Sequence, residues 1–322
     1  MDKVGKVLVT GGAGFIGSNL VKKLASKNYD INVLDDFSTG VKSNLIELES
    51  NIYEGSILDK DLLWAAMSGV DAVFHLAARG SVPRSLANPL ETLAVNVNGT
   101  INVCEIARSG SIPIIFTSSS SVYGANLSED KNEEAWQSPL NPYAASKLAA
   151  ESILISYSRS FNLPTSVYRL FNVYGPGQRP EHIYSAVIPK WIWAAIHKSE
   201  INVFGDGKTS RDFTYVDNVT EILCQTLLNN CYFDGVVNLA FGRPVSLNEV
   251  LSQISNFFPK LNTTFTSSRQ GDIKHSNNAS DKIKLLFPQV MPVKINEGIE
   301  KTVNWLTENK KSITNNPLVI DL

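Results

Sequence analysis

The chain has little cysteine, little histidine and no long apolar run, and each scarcity excludes something. Its 322 residues include three cysteines and four histidines. Cys104, Cys224 and Cys231 are too few and too scattered for a disulfide framework or a metal cage, so no metal is expected. A reducing, cytoplasmic compartment fits that usage. No stretch approaches the ~20 apolar residues that a bilayer requires, so no membrane partner is expected. Val7-Leu8-Val9 runs straight into glycine-rich sequence, unlike a signal peptide, and the stretch 187–196 is broken by Pro189 and Lys190. Neither charge sign is in excess: 29 Lys plus Arg against 31 Asp plus Glu leaves −2. That balance argues against a protein held to nucleic acid by counterion release. With 43% hydrophobic and 19% charged residues, disorder is excluded as the dominant state. At roughly 150 residues per domain, the length suggests about two domains.

What is present is an alternation. Short apolar runs at 6–10, 30–34, 51–54, 72–75, 112–118 and 165–170 read as strands. Between them lie helical patterns at 14–27, 92–107 and 143–161, the first carrying Phe15, Ile16, Leu20, Val21 and Leu24 at helical spacing. This is the rhythm of βαβ units, and it predicts an α/β fold with a Rossmann-type, doubly wound parallel sheet. After Asn172 the texture changes. Pro and Gly cluster in Tyr174-Gly175-Pro176-Gly177-Gln178, strands shorten, and helical patterns return at 187–198, 217–228, 247–258 and 295–310. A boundary near residue 172 therefore separates a first unit, 1–172, from a smaller mixed α/β unit, 173–322, with later segments crossing back. Residues 311–322 read as a frayed tail.

Two constellations carry chemistry. Gly11, Gly14 and Gly17 follow the first strand directly and open the first helix. Gly11 suits a tight turn, Gly14 lets a pyrophosphate approach the backbone, and Gly17 allows close helix–sheet packing. The helix N-terminus offers free N–H groups and partial positive charge to that anion. Asp35, with Asp36 beside it, stands 18 residues beyond Gly17, where the next strand ends. A carboxylate there accepts from a ribose 2′-OH and repels a 2′-phosphate, and no arginine stands in 36–40, so NAD is expected rather than NADP.

Tyr143 and Lys147 lie one helical turn apart on the same face. Unperturbed tyrosine titrates near pH ~10. A nearby ammonium and an oxidised nicotinamide would both favour the phenolate and bring it towards a working pH. Lys147 could also hold a cofactor ribose. Thr117-Ser118-Ser119-Ser120-Ser121 ends an apolar strand, where ligands bind in open α/β sheets, and one serine there could meet a substrate hydroxyl as it becomes a carbonyl.

Together these residues resemble the extended short-chain dehydrogenase/reductases. The match runs through Thr10 to Gly17, Asp35, His75-Leu76-Ala77-Ala78, Asn96, the serines before Val122-Tyr123-Gly124, and Tyr143 with Lys147. It continues through 169–176, Gly205-Asp206-Gly207, Arg211-Asp212-Phe213 and Arg269-Gln270-Gly271-Asp272. Within that family the chain looks most like NAD-dependent UDP-hexose 4-epimerases, and the following roles are what the resemblance implies. Tyr143 is the base, Lys147 its partner and Ser119 the active hydroxyl, with Ser120 and Ser121 as other claimants. Gly11, Gly14, Phe15, Ile16, Gly17, Asp35, Asp36, Ser38, Thr39 and Gly40 line the cofactor, as do Ile57, Leu76, Ala77, Ala78 and Asn96. Asn172, Arg211 and Arg269 hold the substrate diphosphate, Val187 and Phe204 flank the uracil, and Asp272 meets the uridine ribose. The family also implies a homodimer through two long helices.

Some positions depart from, or choose within, the family pattern. Gly55-Ser56-Ile57 replaces a common Gly-Asp-Ile, weakening a contact to adenine. Dehydratases place an Asp-Glu pair where Ser120-Ser121 stand, so dehydration is disfavoured. The loop from Arg79 through Ser81 to Ser85 is similar to that of epimerases acting on N-acetylated UDP-hexoses, which implies that Ser81 meets the substrate. Ser276 occupies a position where relatives that reject an acetamido group carry tyrosine. The reaction expected is reversible inversion at C4 of UDP-GlcNAc/UDP-GalNAc, with UDP-Glc/UDP-Gal as a further pair. A UDP-glucuronate 4-epimerase or decarboxylase, and a catalytically silent nucleotide-binding regulator, are the alternatives.

Overall fold

The computed structural model describes residues 4–46, 48–126, 128–180, 186–267 and 275–315, with residues 275 and 276 through their backbone alone. Seven strands form one parallel sheet: β1 Lys6–Thr10, β2 Asp30–Asp35, β3 Asn51–Glu54, β4 Ala72–His75, β5 Ile114–Ser119, β6 Thr165–Leu170 and β7 Val236–Leu239. Their order is β7-β6-β5-β4-β1-β2-β3. Strand order reverses between β1 and β4, so the crevice at the carboxyl ends of these two strands is the place where such a sheet binds ligands.

The sheet is covered on both faces, which is why its strands are continuous apolar runs. Along β1 the side chains alternate: Val7 and Val9 join one core, Leu8 the other. On the first face α1 (Phe15–Ser26) packs with Leu20, Val21 and Leu24 against Ile31 and Val33. The second face receives α2 (Lys60–Met67), α3 (Gly99–Gly110) and α4 (Pro142–Phe161) through Leu63, Val103, Ala107, Ala150 and Leu154. Pro142 at the first turn and Asn141, whose side chain accepts from the Ala144 N–H, start α4 one residue before Tyr143.

Two differences from the sequence reading lie in this half. The pattern over 92–107 is interrupted: a short helix Pro89–Leu93 leads through a π-turn, Ala94–Asn98, into α3. Gly99 marks that junction because a Cβ there would sit 2.3 Å from Ile57 Cδ1. The strand read at 112–118 begins at Ile114 and extends to Ser119, which carries the serine run to the sheet's edge.

Beyond residue 172 a separate core forms. Helices α5 (Val187–Ile196), α7 (Leu247–Ser255) and α8 (Ile295–Glu308) enclose Ile188, Trp191, Ile192, Val250, Ile254, Ile299 and Val303. Between them in sequence, α6 (Val216–Leu228) packs on α1, and β7 pairs with β6, so the chain returns to the large sheet. A small sheet of Pro244–Ser246, Ser210–Asp212, His275–Asn278 and Asp130–Lys131 completes this half. Residues 311–315 do not fray as expected. Lys310–Asn315 is helical because Ile313 buries itself in the same core, while residues 316–322 lie outside those described.

Candidate active site

The glycine turn joins β1 to α1 and forms one wall of a cleft of about 260 Å³. Gly11 adopts φ +71°, and a Cβ on it would stand 2.7 Å from the Ala77 backbone nitrogen. At Gly17 a Cβ would lie 2.1 Å from the Gly11 carbonyl oxygen, so the helix can approach the turn only without a side chain. Gly14, Phe15, Ile16, Asp35, Asp36, Ser38, Thr39, Ile57, Leu76, Ala77 and Ala78 share the cleft with Gly11 and Gly17. Gly40 stands behind it, packed on Ala13 and Asp35. Asp35 is buried, which raises its pKa, and the N–H groups of Phe37 and Ala13 partly offset that. Each N–H reaches one carboxylate oxygen at 2.8 Å, leaving lone pairs for a ribose hydroxyl. The turn, the helix N-terminus and this carboxylate fit a dinucleotide with a free 2′-OH.

Three successive turns of α4 meet the end of β5. Tyr143, partly buried, is hydrogen-bonded to the Ser119 side chain. Lys147 donates from Nζ to the Thr117 carbonyl at 2.8 Å and lies 4.7 Å from the Phe116 ring centroid. Glu151 accepts from the Ser118 hydroxyl at 2.5 Å and from Arg169 at 2.9 and 2.7 Å. Ser118 faces α4 from within the strand and is committed to the buried ion pair, whereas Ser119, the last residue of the strand, reaches the phenol. Ser121 bonds back to Ser119, its Oγ at 2.8 Å and its N–H at 3.1 Å.

The electrostatics correct one expectation. The protein's own groups do not depress the Tyr143 pKa. Burial raises it, and the Ser119 hydrogen bond is the opposing influence. Burial also brings Lys147 down to about 8, although Glu151 opposes this. The protein's own groups therefore leave the phenol protonated, with Lys147 one helical turn away held closer to neutrality than an ordinary lysine. A positive charge brought by a ligand would reverse that balance.

Buried polar groups hold the framework. His75 Nδ1 lies 2.8 Å from Thr10 Oγ1, and Nε2 lies 3.0 Å from Thr100 Oγ1. Thr100 donates to the Asn96 carbonyl and Thr10 accepts from Ala77 N–H, so the consistent assignment is a neutral imidazole protonated on Nε2. Burial, with Lys147 nearby, lowers the His75 pKa to about 3. Asn96 does not line the cleft. Its side chain accepts from Arg79 N–H at 2.8 Å and donates to Ser146 Oγ at 2.8 Å, so it ties the loop after β4 to α4.

A second cavity, about 670 Å³ and largely apolar, gathers Asn172, Val187, Phe204 and Arg211 from distant parts of the chain. Asn172 takes φ +33° there, a conformation Asn tolerates, and donates to the Asp212 carbonyl at 3.3 Å. Ser81 is not among the lining residues. Its hydroxyl caps the helix Val82–Ala87, accepting from Arg84 N–H at 3.4 Å, and Pro83 from that helix reaches the cavity instead. Ser276 pairs in register with Arg211, but its side chain is outside the description, and so are Arg269 and Asp272. Sequence reasoning missed Trp191, Leu247 and Arg79. The two apolar residues give no signal beyond core pattern, whereas Arg79 stood beside a recognised motif and could have been weighed. Among the described residues no group of three His, Cys, Asp or Glu could hold a metal, and no helix is long and apolar enough to cross a membrane.

A glycine turn at a topological switch point, with Tyr143 and Lys147 beside it, defines a dinucleotide-dependent enzyme of the extended Rossmann type. The chain belongs to the NAD dependent epimerase/dehydratase family, whose pattern it matches over residues 7–240, and NAD is its cofactor. It is 34% identical to a putative UDP-glucose 4-epimerase of Methanocaldococcus jannaschii, over 95% of this chain and 100% of that one. It is 31% identical to a UDP-N-acetyl-alpha-D-glucosaminuronate decarboxylase of Bacillus cytotoxicus, over 94% and 98%. Among solved structures, a UDP-N-acetylglucosamine 4-epimerase from Methanobrevibacter ruminantium in complex with UDP-N-acetylmuramic acid superposes with a TM-score of 0.89. That protein is 33% identical, with 96% and 100% coverage. A Thermus thermophilus UDP-glucose 4-epimerase in complex with NAD gives 0.84 at 30% identity, covering 94% and 99%.

Proposed function

We propose that this enzyme inverts C4 of a UDP-hexose, interconverting UDP-GlcNAc and UDP-GalNAc, with UDP-Glc and UDP-Gal as a second pair. The observation that carries the reading is the Ser119–Tyr143–Lys147 arrangement at the end of β5, beside the glycine cleft. The cleft would hold NAD, which would supply a hydride acceptor and donor for C4 of the sugar and a positive charge that would favour the Tyr143 phenolate. Tyr143 takes the proton of the 4-hydroxyl as the sugar becomes a 4-ketose and gives it back after the ketose has turned its other face. Ser119 holds the same oxygen through its hydroxyl. Lys147 keeps positive charge near the phenol and is itself poised near neutrality by burial. Residues 1–172, with β7 and α6, serve the cofactor, and the cavity of the second half serves the UDP-sugar. There, of the described residues, Asn172 and Arg211 hold the diphosphate and Val187 and Phe204 the uracil; the family resemblance adds Arg269 to the diphosphate and Asp272 to the ribose. Charge holds the diphosphate, and the largely apolar wall leaves the sugar loose enough to turn. The small Ser276 leaves room for an acetamido group. Two chains associate through α3 and α4.

Incubation with UDP-GlcNAc, UDP-Glc and UDP-glucuronate in separate tubes without added cofactor, followed by NMR of the sugar product, tests this reading. Conversion of UDP-GlcNAc to UDP-GalNAc supports it. Turnover of UDP-glucuronate alone replaces it with the epimerase or decarboxylase of that acid. Retained NAD with no product in any tube leaves a nucleotide-binding regulator.

A further inference from the structure

The loop after β4 carries a cation that reaches across the cofactor cleft. Arg79 Nη2 lies 3.0 Å from Asp36 Oδ2, and Nη1 donates to the Ser38 hydroxyl, both in the loop after β2. Its Nε donates to Glu91 Oε1, on the helix Pro89–Leu93, at 2.6 Å. Ser38 in turn donates to Asp36 Oδ1 at 2.6 Å, so the acceptors are themselves tied together. The arginine's own backbone is held by Asn96. Its side chain is only 17% exposed. Asp36, Ser38 and Arg79 all line the cleft, so the bridge runs from one wall to the other. A guanidinium suits this place because its planar fork satisfies several acceptors at fixed angles, which an ammonium cannot do. Burial opposes the charge on both partners. The bond between them and the hydroxyl of Ser38 outweigh it on Asp36, whose pKa is held below the usual carboxylate range. Asp36 and Glu91 likewise keep Arg79 firmly cationic.

We propose that Arg79 is a clasp that ties together the two loops walling the cofactor cleft and thereby sets how slowly NAD leaves. It is a positioning residue, acting through the loops that form the walls. A ligand enclosed by two loops escapes when they part, and parting them here requires the arginine to give up its acceptors. The effect falls on the dissociation rate more than on association, as it does for most contacts that close over a ligand. The inference rests on NAD as cofactor and does not depend on which sugar is used.

The test is exchange of bound NAD against excess radiolabelled NAD, followed by rapid gel filtration of the holoenzyme. Arg79→Ala should exchange about ten-fold faster than the natural protein. Glu91→Gln, which removes one arm at a half-exposed position, should give about three-fold. Raising salt from about 0.05 to about 1 M should speed exchange in the natural protein and change it far less in Arg79→Ala, because screening acts on the clasp. Equal exchange rates in the natural protein and both variants would overturn the clasp. So would a salt response that survives in Arg79→Ala. Failure of the natural protein to retain any NAD would overturn the premise as well, a result distinct from either of those.

Discussion

The two halves of this molecule build their sites in opposite ways. The cofactor cleft is made of backbone and of polar groups already committed to partners, Asp35 to two N–H groups and Arg79 to two carboxylates, with Asn96 bracing a loop and a helix behind it. The second cavity is larger, about 670 Å³ against about 260 Å³, and its lining is mostly apolar side chains such as Val187, Trp191 and Phe204. In the first, these polar groups are paired before any ligand arrives. The other offers an apolar chamber with a few polar anchors. That contrast suits a reaction in which one ligand must stay fixed while the other turns.

Variants can break one half while sparing the other. Tyr143→Phe should lower kcat by about 10²- to 10⁴-fold, while NAD content and UDP affinity, read by calorimetry, stay near natural values. Undiminished turnover would remove the proton-transfer assignment. Behind the same helix, Glu151→Gln leaves the buried Arg169 charge unpaired and should cost about 3–5 kcal/mol in urea unfolding. A loss under 1 kcal/mol would show that water or a neighbour compensates. Gly11→Ala places a methyl against Ala77 at a positive φ and should cost about 1–3 kcal/mol. It should abolish NAD retention while UDP still binds the second cavity, and loss of both together would show that the halves are not independent.

A further set of effects comes with pH. His75 has a folded pKa of about 3, below its usual value near 6.5. The unfolded chain therefore takes the proton first, and stability present above pH ~6.5 should be lost as pH falls towards 3. For Lys147, at about 8 against 10.5, the same sign places the change higher. Stability present above pH ~10.5 should decline as pH falls to about 8 and then level. Denaturant midpoints of His75→Asn and Lys147→Met should each lack the corresponding slope, and slopes unchanged from the natural protein would refute the two assignments.

Much of the first half was legible beforehand because local rules and tertiary demands coincide there. The strand at 6–10, the glycines that follow and the carboxylate at 35 fall where βαβ geometry needs them. The break at Ala94–Asn98 was not legible, and neither was the packing of Ile57, 42 positions away in sequence, that leaves no room for a side chain at Gly99 beside it. The upward shift of Tyr143 from the protein's own groups was not legible for a related reason. Helical spacing shows that Lys147 is near, but the degree of burial is a property of the packed molecule. In the second half, nothing local marks Trp191 as a cavity wall or Ile313 as a core residue.

Residue order alone determined the parallel sheet, the phosphate-binding turn and the presence of a tyrosine–lysine pair on one helix. These follow from periodicity and from the backbone freedom of glycine, which act within a few residues. Folding in three dimensions decided that Ser119 rather than Ser118 meets the phenol, that Asn96 braces a loop, and that Arg79 spans the cleft. Those outcomes depend on which buried donors and acceptors remain to be satisfied once distant segments meet, a balance struck only in the assembled chain.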